Sequence, residues 1–525
     1  MPTCRSVLLP LVALSALALV SCGGGGGSGD SGGGGGGGGG IGTSDWIRGN
    51  YQPATNYSAR CAAPRSGTSD LSGSKKDENN WLRSWTHETY LWYSEVTDVD
   101  PSLYSTPDYF DLMKTFATTP SGADKDRFHF TYSTAEWTAL SQAGEDVGYG
   151  VQWALTQLRP PRAAYIAFVE PNIPAANASA NLTRGVSIET IDGVSLINDN
   201  TRAGVDVLNA GLSPSKAGET HAFGVLYSNG TRRTVTLTAS KVTHNPVPIV
   251  KVLATPSGSV GYVLFNDHLA TSEPALVNAI NTLKAASVTD LILDIRYNGG
   301  GYLEIASELA YMIAGPTATA GKTFEQLQFN DRYPTTNPIT GRALEPMPFL
   351  DRTRGFTSSL PSGAALPTLN LGKVYVLTGT GTCSASEAII NGLRGADVQV
   401  IQVGSTTCGK PYGFYPADNC GTTYFSIQFR GINAKGFGEY PDGFSPSGSP
   451  TTTTQLPGCS VSDDFAHQLG DTTESTLLAA LSYMKTSGAT CAASGFAPQA
   501  ADRDGVKPRE FVLPKPAWRE NRILR

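Results

Sequence analysis

The chain has 525 residues, 59 of them glycine and 33 proline, with 16% charged and 40% hydrophobic residues. That apolar content excludes a wholly disordered chain, and the glycines lack the Gly-X-Y period of collagen. A formal charge of −6 without a basic run argues against a nucleic-acid partner.

In chain order, residues 1–21 read as a lipoprotein signal peptide. Arg5 precedes an apolar stretch, Leu8 to Val20, shorter than the roughly 20 residues that span a bilayer. The stretch ends in Leu19-Val20-Ser21-Cys22, which resembles the bacterial lipobox and implies lipidation of Cys22. Residues 22–75 are expected to be the lipidated cysteine and a disordered tether. Sixteen of the glycines fall between 23 and 42, and a coil of that length reaches on the order of 25 Å. The reading is a folded body held at the cell envelope through its N-terminal lipid only. The outer membrane is favoured because Gly23, not aspartate, follows Cys22, with the body in the periplasm or at the cell surface.

Residues 76–140 read as a small helical region. Trp81, Leu82, Trp85, Trp92 and Tyr93 fall at near-helical spacing between Asn80 and Tyr93, and Pro107 to Phe116 suggests a second short helix. The tryptophans are read as core. Residues 145–242 change character, with β-like runs at Val151 to Ala154, Ala164 to Val169, Val186 to Ile191 and Thr234 to Ala239, and a helix over Thr201 to Leu208. Gly148-Tyr149-Gly150-Val151 precedes the first strand. This order resembles a PDZ domain. The resemblance implies capture of an extended peptide by strand addition, often at its C-terminal carboxylate, with Gly148, Tyr149, Gly150 and Val151 as the peptide-binding loop. Gly185-Val186 departs from the Gly-Asp common in such domains.

Residues 243–490 alternate strands with helices. The strands are Gly261 to Phe265, Asp290 to Ile295, Lys373 to Leu377 and Val398 to Val403. The helices are Glu273 to Ala286, Leu303 to Ile313, Ala385 to Leu393 and Glu474 to Lys485. The pattern predicts a largely parallel sheet covered on both faces. Residues 321–370 form a long stretch without clear periodicity, the kind of loop that serves as a lid. Residues 491–525 read as an extended tail.

Six cysteines lie beyond the leader: Cys61, Cys383, Cys408, Cys420, Cys459 and Cys491. An even number in an exported chain suggests disulfides. Cys408 and Cys420 flank a short loop and are the first expected pair; Cys459 and Cys491 bracket a helix and are the second. No Cys-x-x-Cys or His-rich spacing points to a metal, and neither metal nor organic cofactor is expected.

The chemistry gathers in three segments. In Thr382-Cys383-Ser384-Ala385-Ser386-Glu387 a small-residue turn puts Ser384 at the mouth of a helix. Unpaired N–H groups there favour negative charge, so a serine could attack a carbonyl while they hold the oxyanion. The same Ser-x-x-Glu is also the pattern of a capping box. Lys410 lies 26 residues later among apolar and aromatic neighbours, with no carboxylate between Asp397 and Asp418. A lysine base needs that desolvation, because its ordinary pKa is about 10.4. Otherwise Lys410 is a surface lysine. Asp294-Ile295-Arg296-Tyr297-Asn298-Gly299-Gly300-Gly301 ends a buried strand in three glycines, either a tight turn or a second source of oxyanion N–H groups.

In this order the three segments resemble the S41 peptidases, the tail-specific or C-terminal processing proteases. Asp294 to Gly301 is similar to the family's Asp-Leu-Arg-x-Asn-x-Gly-Gly, Ser384 to Glu387 to its Ser-Ala-Ser-Glu, and Gly409-Lys410 to its Phe-Gly-Lys. The resemblance implies an α/β, crotonase-like (ClpP/crotonase) catalytic domain with a β-rich PDZ domain and a small helical N-terminal region. It implies Ser384 as nucleophile, Lys410 as base, the N–H groups of Ala385 and of Gly300 or Gly301 as the oxyanion hole, and Glu387 as an orienting group. Protein or peptide substrates follow, bound by C-terminal segments. Two positions depart from the family: Phe414 stands where many members carry a glutamine that supports the lysine, and Cys408 stands for the usual Phe. A disulfide from Cys408 to Cys420 would fix the lysine loop. Competing readings are a Ser-His pair using His467, which has Asp463 and Asp464 close in sequence, a Cys383 nucleophile, a catalytically silent peptide-binding scaffold, and a non-peptidase enzyme on the same sheet.

Overall fold

The computed structural model describes residues 46–171, 173–176, 180–256, 258–486, 488 and 522–523. Residues 1–21, Cys22, the glycine tether, Cys491 and the tail apart from 522–523 lie outside them. Residues 46–75, expected to continue the tether, are tied down. Arg60–Cys61 pairs in parallel with Leu71–Ser72, and Cys61 is disulfide-bonded to Cys420 with 5.4 Å between Cα atoms.

Ser74 starts helix α1 (Lys75–Thr89) with a capping box: its side chain accepts from the Asp77 N–H and the Asp77 carboxylate accepts in return. Trp81, Leu82 and Trp85 are buried against Tyr109 and Phe110 of α2 (Thr106–Leu112) and against Tyr424, so these tryptophans are core. The helix ends before Tyr90, which turns extended and sends its hydroxyl to Asp126.

Residues 145–243 form a β domain. β1 (Glu145–Gly148) pairs antiparallel with β7 (Ser240–Thr243). Between them, β2 (Val151–Gln157), β3 (Ala163–Val169), β4 (Ser187–Ile191), β5 (Thr220–Leu226) and β6 (Arg232–Thr238) make an antiparallel sheet in the order β6–β5–β4–β3–β2. Helix α3 (Arg202–Leu212), capped by Thr201, buries Leu208 and Leu212 on this sheet. The sequence reading lacked β5, whose run is broken by Gly224. At that position a side chain would strike Thr190 Oγ1 on the neighbouring strand.

The larger sheet has the order β8–β9–β10–β12–β13–β16–β15. Its strands are β8 (Ile249–Thr255), β9 (Gly258–Leu264), β10 (Asp290–Asp294), β12 (Lys373–Thr378), β13 (Gln399–Gly404), β15 (Ser445–Ser447) and β16 (Gln455–Ser460). All neighbours are parallel except β8 and β9. Side chains alternate between faces. Leu291, Leu293 and Val376 meet helices α4 (Ser272–Ala285), α5 (Leu303–Thr319) and α6 (Ala385–Gly395), while Ile292, Tyr375 and Leu377 meet α7 (Ser475–Lys485). Covering both faces in this way is what the alternation of strands and helices predicts. In the parallel register Asp294 lies opposite Leu377 and Thr378 opposite Gly404. The loops after β10, β12 and β13 therefore leave the sheet side by side, the usual place for a site in such folds.

The long stretch after α5 contains short strands, Thr323–Gln328 and Met347–Pro348. It is fastened by carboxylates. Glu273 accepts the backbone N–H groups of Arg354, Gly355 and Phe356, and Glu308 accepts that of Arg354. Burial, with Glu273 beside it, pushes Glu308 up to about 9. Among the described residues no helix is long and apolar enough to cross a membrane.

Candidate active site

The loop after β10 is held from below by Arg296. This buried guanidinium donates to Asp294, Asp463 and Glu474. A buried charge needs such paired, hydrogen-bonded surroundings. Asn298 follows. Its Oδ1 accepts the Gly300 N–H at 2.9 Å and faces His268 Nδ1 at 3.0 Å, and its Nδ2 donates to the Phe265 carbonyl. An amide oxygen only accepts, so His268 carries its proton on Nδ1. Burial drives its pKa down to about 3, and the ring is neutral. The Gly300 N–H is thus spent within its own turn. Of the two candidate oxyanion donors on this loop, only Gly301 in β11 (Gly301–Tyr302) keeps its N–H clear of Asn298. Gly301 has φ +132°, and a side chain there would lie 2.4 Å from the His268 carbonyl oxygen, so glycine is required.

Ser384 sits at the head of α6, fully buried, with φ 60° and ψ −112°. A non-glycine residue in that region is strained, and such strain gathers at functional positions. Glu387, one turn on, collects the neighbouring donors. Its carboxylate accepts from Ser384 N–H (2.9 Å), Gly409 N–H (2.8 Å), Lys410 N–H (2.8 Å) and the Thr407 hydroxyl (2.5 Å). Burial pushes the Glu387 pKa up against these hydrogen bonds. One carboxylate therefore fixes both the serine turn and the lysine loop. Gly409, with φ +84°, passes so close to Pro441 that a side chain would meet its carbonyl oxygen at 2.3 Å.

Lys410 is fully buried, not a surface lysine. Its Nζ lies 4.7 Å from the Phe128 ring centroid and 4.6 Å from that of Phe414. Phe414, the departure from the glutamine pattern, is thus one of two aromatic faces around the amine. Phe128 comes from the helical N-terminal region.

The expected Cys408–Cys420 bridge is not formed. Cys408 pairs with Cys383, with 5.1 Å between Cα atoms, and Cys420 pairs with Cys61. The reason is the parallel sheet: Cys383 and Cys408 follow adjacent strands by a few residues, so their loops emerge together. The bridge ties the residue before Ser384 to the lysine loop, and it consumes Cys383 as a thiol. Cys459 is also disulfide-bonded, with a partner outside the described residues, where the expected Cys459–Cys491 pair also falls.

His467 binds Asp464 at 2.7 Å on the surface. It is not the only histidine with acidic company. His244 lies between Asp146 (3.1 Å) and Glu170 (3.2 Å), where burial lowers its pKa but the two carboxylates outweigh it and raise it to about 10. Asp146 lies in β1 and Glu170 just after β3, both remote in sequence from His244, and both were missed. So were His268, Phe128, and an ionic cluster joining the two domains. In that cluster Arg184 of the β domain reaches Asp463 and the Tyr297 hydroxyl, each at 2.6 Å, and Asp463 also binds Arg296 at 2.9 Å. Burial raises the Asp463 pKa, but Arg296 and Arg184 hold it below the ordinary carboxylate value.

In the β domain, Gly148 closes β1, Tyr149 is buried against Phe223, Gly150 turns with φ +66°, and Val151 opens β2. Among the described residues β2 pairs only with β3, so its other edge is open. That edge borders a cavity of about 1340 Å³. The walls are the 145–158 segment and the end of α3 on one side, and Arg296, Tyr297, Thr378 to Gly381 and Asp463 on the other. The four-residue loop lines this cavity, whereas Ser384 and Lys410 do not; its wall stops at Gly381.

Residues 259–413, which hold all three chemical segments, match the model of peptidase family S41. The chain is 31% identical over 152 residues to a chloroplastic C-terminal processing peptidase of Tetradesmus obliquus (27% of this chain, 32% of the relative). It is 28% identical over 178 residues to a carboxyl-terminal-processing protease of a Picosynechococcus strain (33% of this chain, 39% of the relative). The chain thus spans about a third of the length of the curated relatives it matches. A crystal structure from Bacteroides fragilis assigned as an S41 protease superposes with a TM-score of 0.56 at 21% identity, covering 77% of this chain and 97% of that one. The fold is therefore the S41 protease fold.

Proposed function

We propose that the chain is a serine endopeptidase of family S41, whose model residues 259–413 match, acting on protein or peptide substrates of the cell envelope. The observation that carries this reading is the shared carboxylate of Glu387, which binds the backbone of both Ser384 and Lys410. Ser384 Oγ attacks the scissile carbonyl carbon and passes its proton to Lys410 Nζ. The N–H groups of Ala385 and Gly301 receive the oxyanion. The intermediate collapses to an acyl-serine, and the leaving amine takes the proton from Lys410. Water, deprotonated by Lys410, then releases the acid product and restores Ser384. Glu387 is a positioning residue, and no step calls for a metal or organic cofactor.

The β domain acts in a PDZ-like manner. An extended substrate segment adds to the open edge of β2, with the 148–151 loop at its end, as the C-terminal processing activity named for the relatives would require. Lipidation at Cys22 would keep the enzyme at its membrane. The test is turnover of a denatured protein or a peptide library by wild type, Ser384→Ala and Lys410→Ala. Cleavage by wild type alone supports the reading. No cleavage by wild type, or equal cleavage by Ser384→Ala, supports the silent scaffold instead.

A further inference from the structure

Strand β11 has two sides. On one, His268 bridges Gly301 in parallel: the His268 N–H donates to the Gly300 carbonyl, and the Tyr302 N–H donates to the His268 carbonyl. In a parallel bridge the groups on either side of the central residue make those bonds, so the N–H and C=O of Gly301 itself point to the opposite side. There β17 (Arg522–Ile523) runs parallel to β11, with Arg522 opposite Gly301 and Ile523 opposite Tyr302. β17 also lies against β14 (Tyr412–Gly413), which begins two residues after Lys410. Residues 522–523 therefore run as an extended strand between the glycine that would hold the oxyanion and the strand that follows the base.

We propose that this segment occupies the substrate's own position, so that an extended peptide of this chain is the first ligand of its active site. The inference rests on the peptidase reading for the meaning of the groove, but the occupancy is a separate claim. A scissile peptide must present its carbonyl to Ser384 while its backbone meets the Gly301 N–H, and no second strand fits on that side of β11 while β17 is there. Every substrate must displace residues 522–523. A tethered segment acts at an effective concentration in the millimolar range. If its intrinsic dissociation constant is about tenfold lower, it raises the apparent KM about tenfold.

The test uses the full chain with Arg522→Pro/Ile523→Pro, which removes both backbone donors of β17. In a Ser384→Ala background, which needs no activity, hydrogen exchange at the Gly301 amide should accelerate at least about tenfold in the proline variant. An unchanged rate overturns the pairing. With Ser384 intact, KM for a short reporter peptide should fall about tenfold at constant kcat, and an unchanged KM overturns the competition. A synthetic peptide of residues 517–525 added to the proline variant should restore inhibition at millimolar concentration, and no inhibition there counts against the proposal even if the variant is otherwise perturbed. Should no form cleave any peptide, the peptidase reading falls while the exchange result still decides occupancy.

Discussion

Two strand edges face inward in this molecule, and they are built for different tasks. β11 is two residues long and buried, and its surroundings are locked by Asn298, His268 and, across the site, the Cys383–Cys408 bridge. β2 is seven residues long, half-buried along most of its length, and borders an open cavity. The contrast follows from what each would do. Catalysis needs a few backbone N–H groups fixed to a fraction of an ångström. Docking needs length, and tolerates a looser wall.

The largest break in this comparison is Ser384→Ala. It should lower kcat by at least about 10⁴-fold with an unchanged melting temperature, measured on a peptide substrate. Next is Glu387→Ala. Removing a carboxylate that accepts four hydrogen bonds leaves buried donors unmet, at about 1–3 kcal/mol each. We expect a loss of roughly 3–5 kcal/mol in denaturant unfolding and a fall in kcat of about 100-fold. The double variant Cys383→Ala/Cys408→Ala should cost about 3 kcal/mol, while Cys420→Ala breaks a different tether, to Cys61, and leaves the spacing of the serine and lysine loops intact. Equal effects on kcat from the two would show that the bridge beside Ser384 has no special role.

The sequence marked the candidate segments more clearly than the architecture around them. Asp294 to Gly301, Ser384 to Glu387 and Lys410 are contiguous segments whose residue types carry their own reasons, and the sheet brings all three to one edge. What was hidden depends on contacts between distant segments. Cys408 has a nearby cysteine in sequence at Cys420, but the register of β12 on β13 gives it Cys383 instead. The parallel-sheet expectation already contained that answer, had the two loops been aligned by strand ends. His244 meets its acids only when β1, β3 and β7 are assembled. The Gly300 N–H seemed available because a triple glycine in sequence does not reveal which amide its own asparagine will take.

A smaller effect sharpens the docking side. Trp153 of β2 donates its indole N–H to the Leu212 carbonyl at the end of α3 and stacks on Phe223. Trp153→Ala should raise KM for long protein substrates about three- to tenfold and leave kcat and short-peptide turnover unchanged. Equal effects on both substrate lengths would deny the cavity a docking role. The smallest effect concerns pH. His244 has a folded pKa of about 10 against an ordinary 6.5, so it contributes stability that is complete below pH 6.5 and is lost as pH rises through 10. Glu308, raised to about 9, loses its contribution in the same direction, from pH 4.5 upward. The melting temperature should therefore decline between pH 7 and 10, and His244→Gln should flatten part of that decline.

The central claim is that Ser384 is a nucleophile activated by Lys410. Its most direct measurement is the rate of covalent labelling by a fluorophosphonate, with the modified residue located by peptide mass spectrometry. Labelling at Ser384 in the wild type, slowed at least about 100-fold in Lys410→Met, is the predicted result. Labelling at another residue, or an equal rate in Lys410→Met, would contradict it.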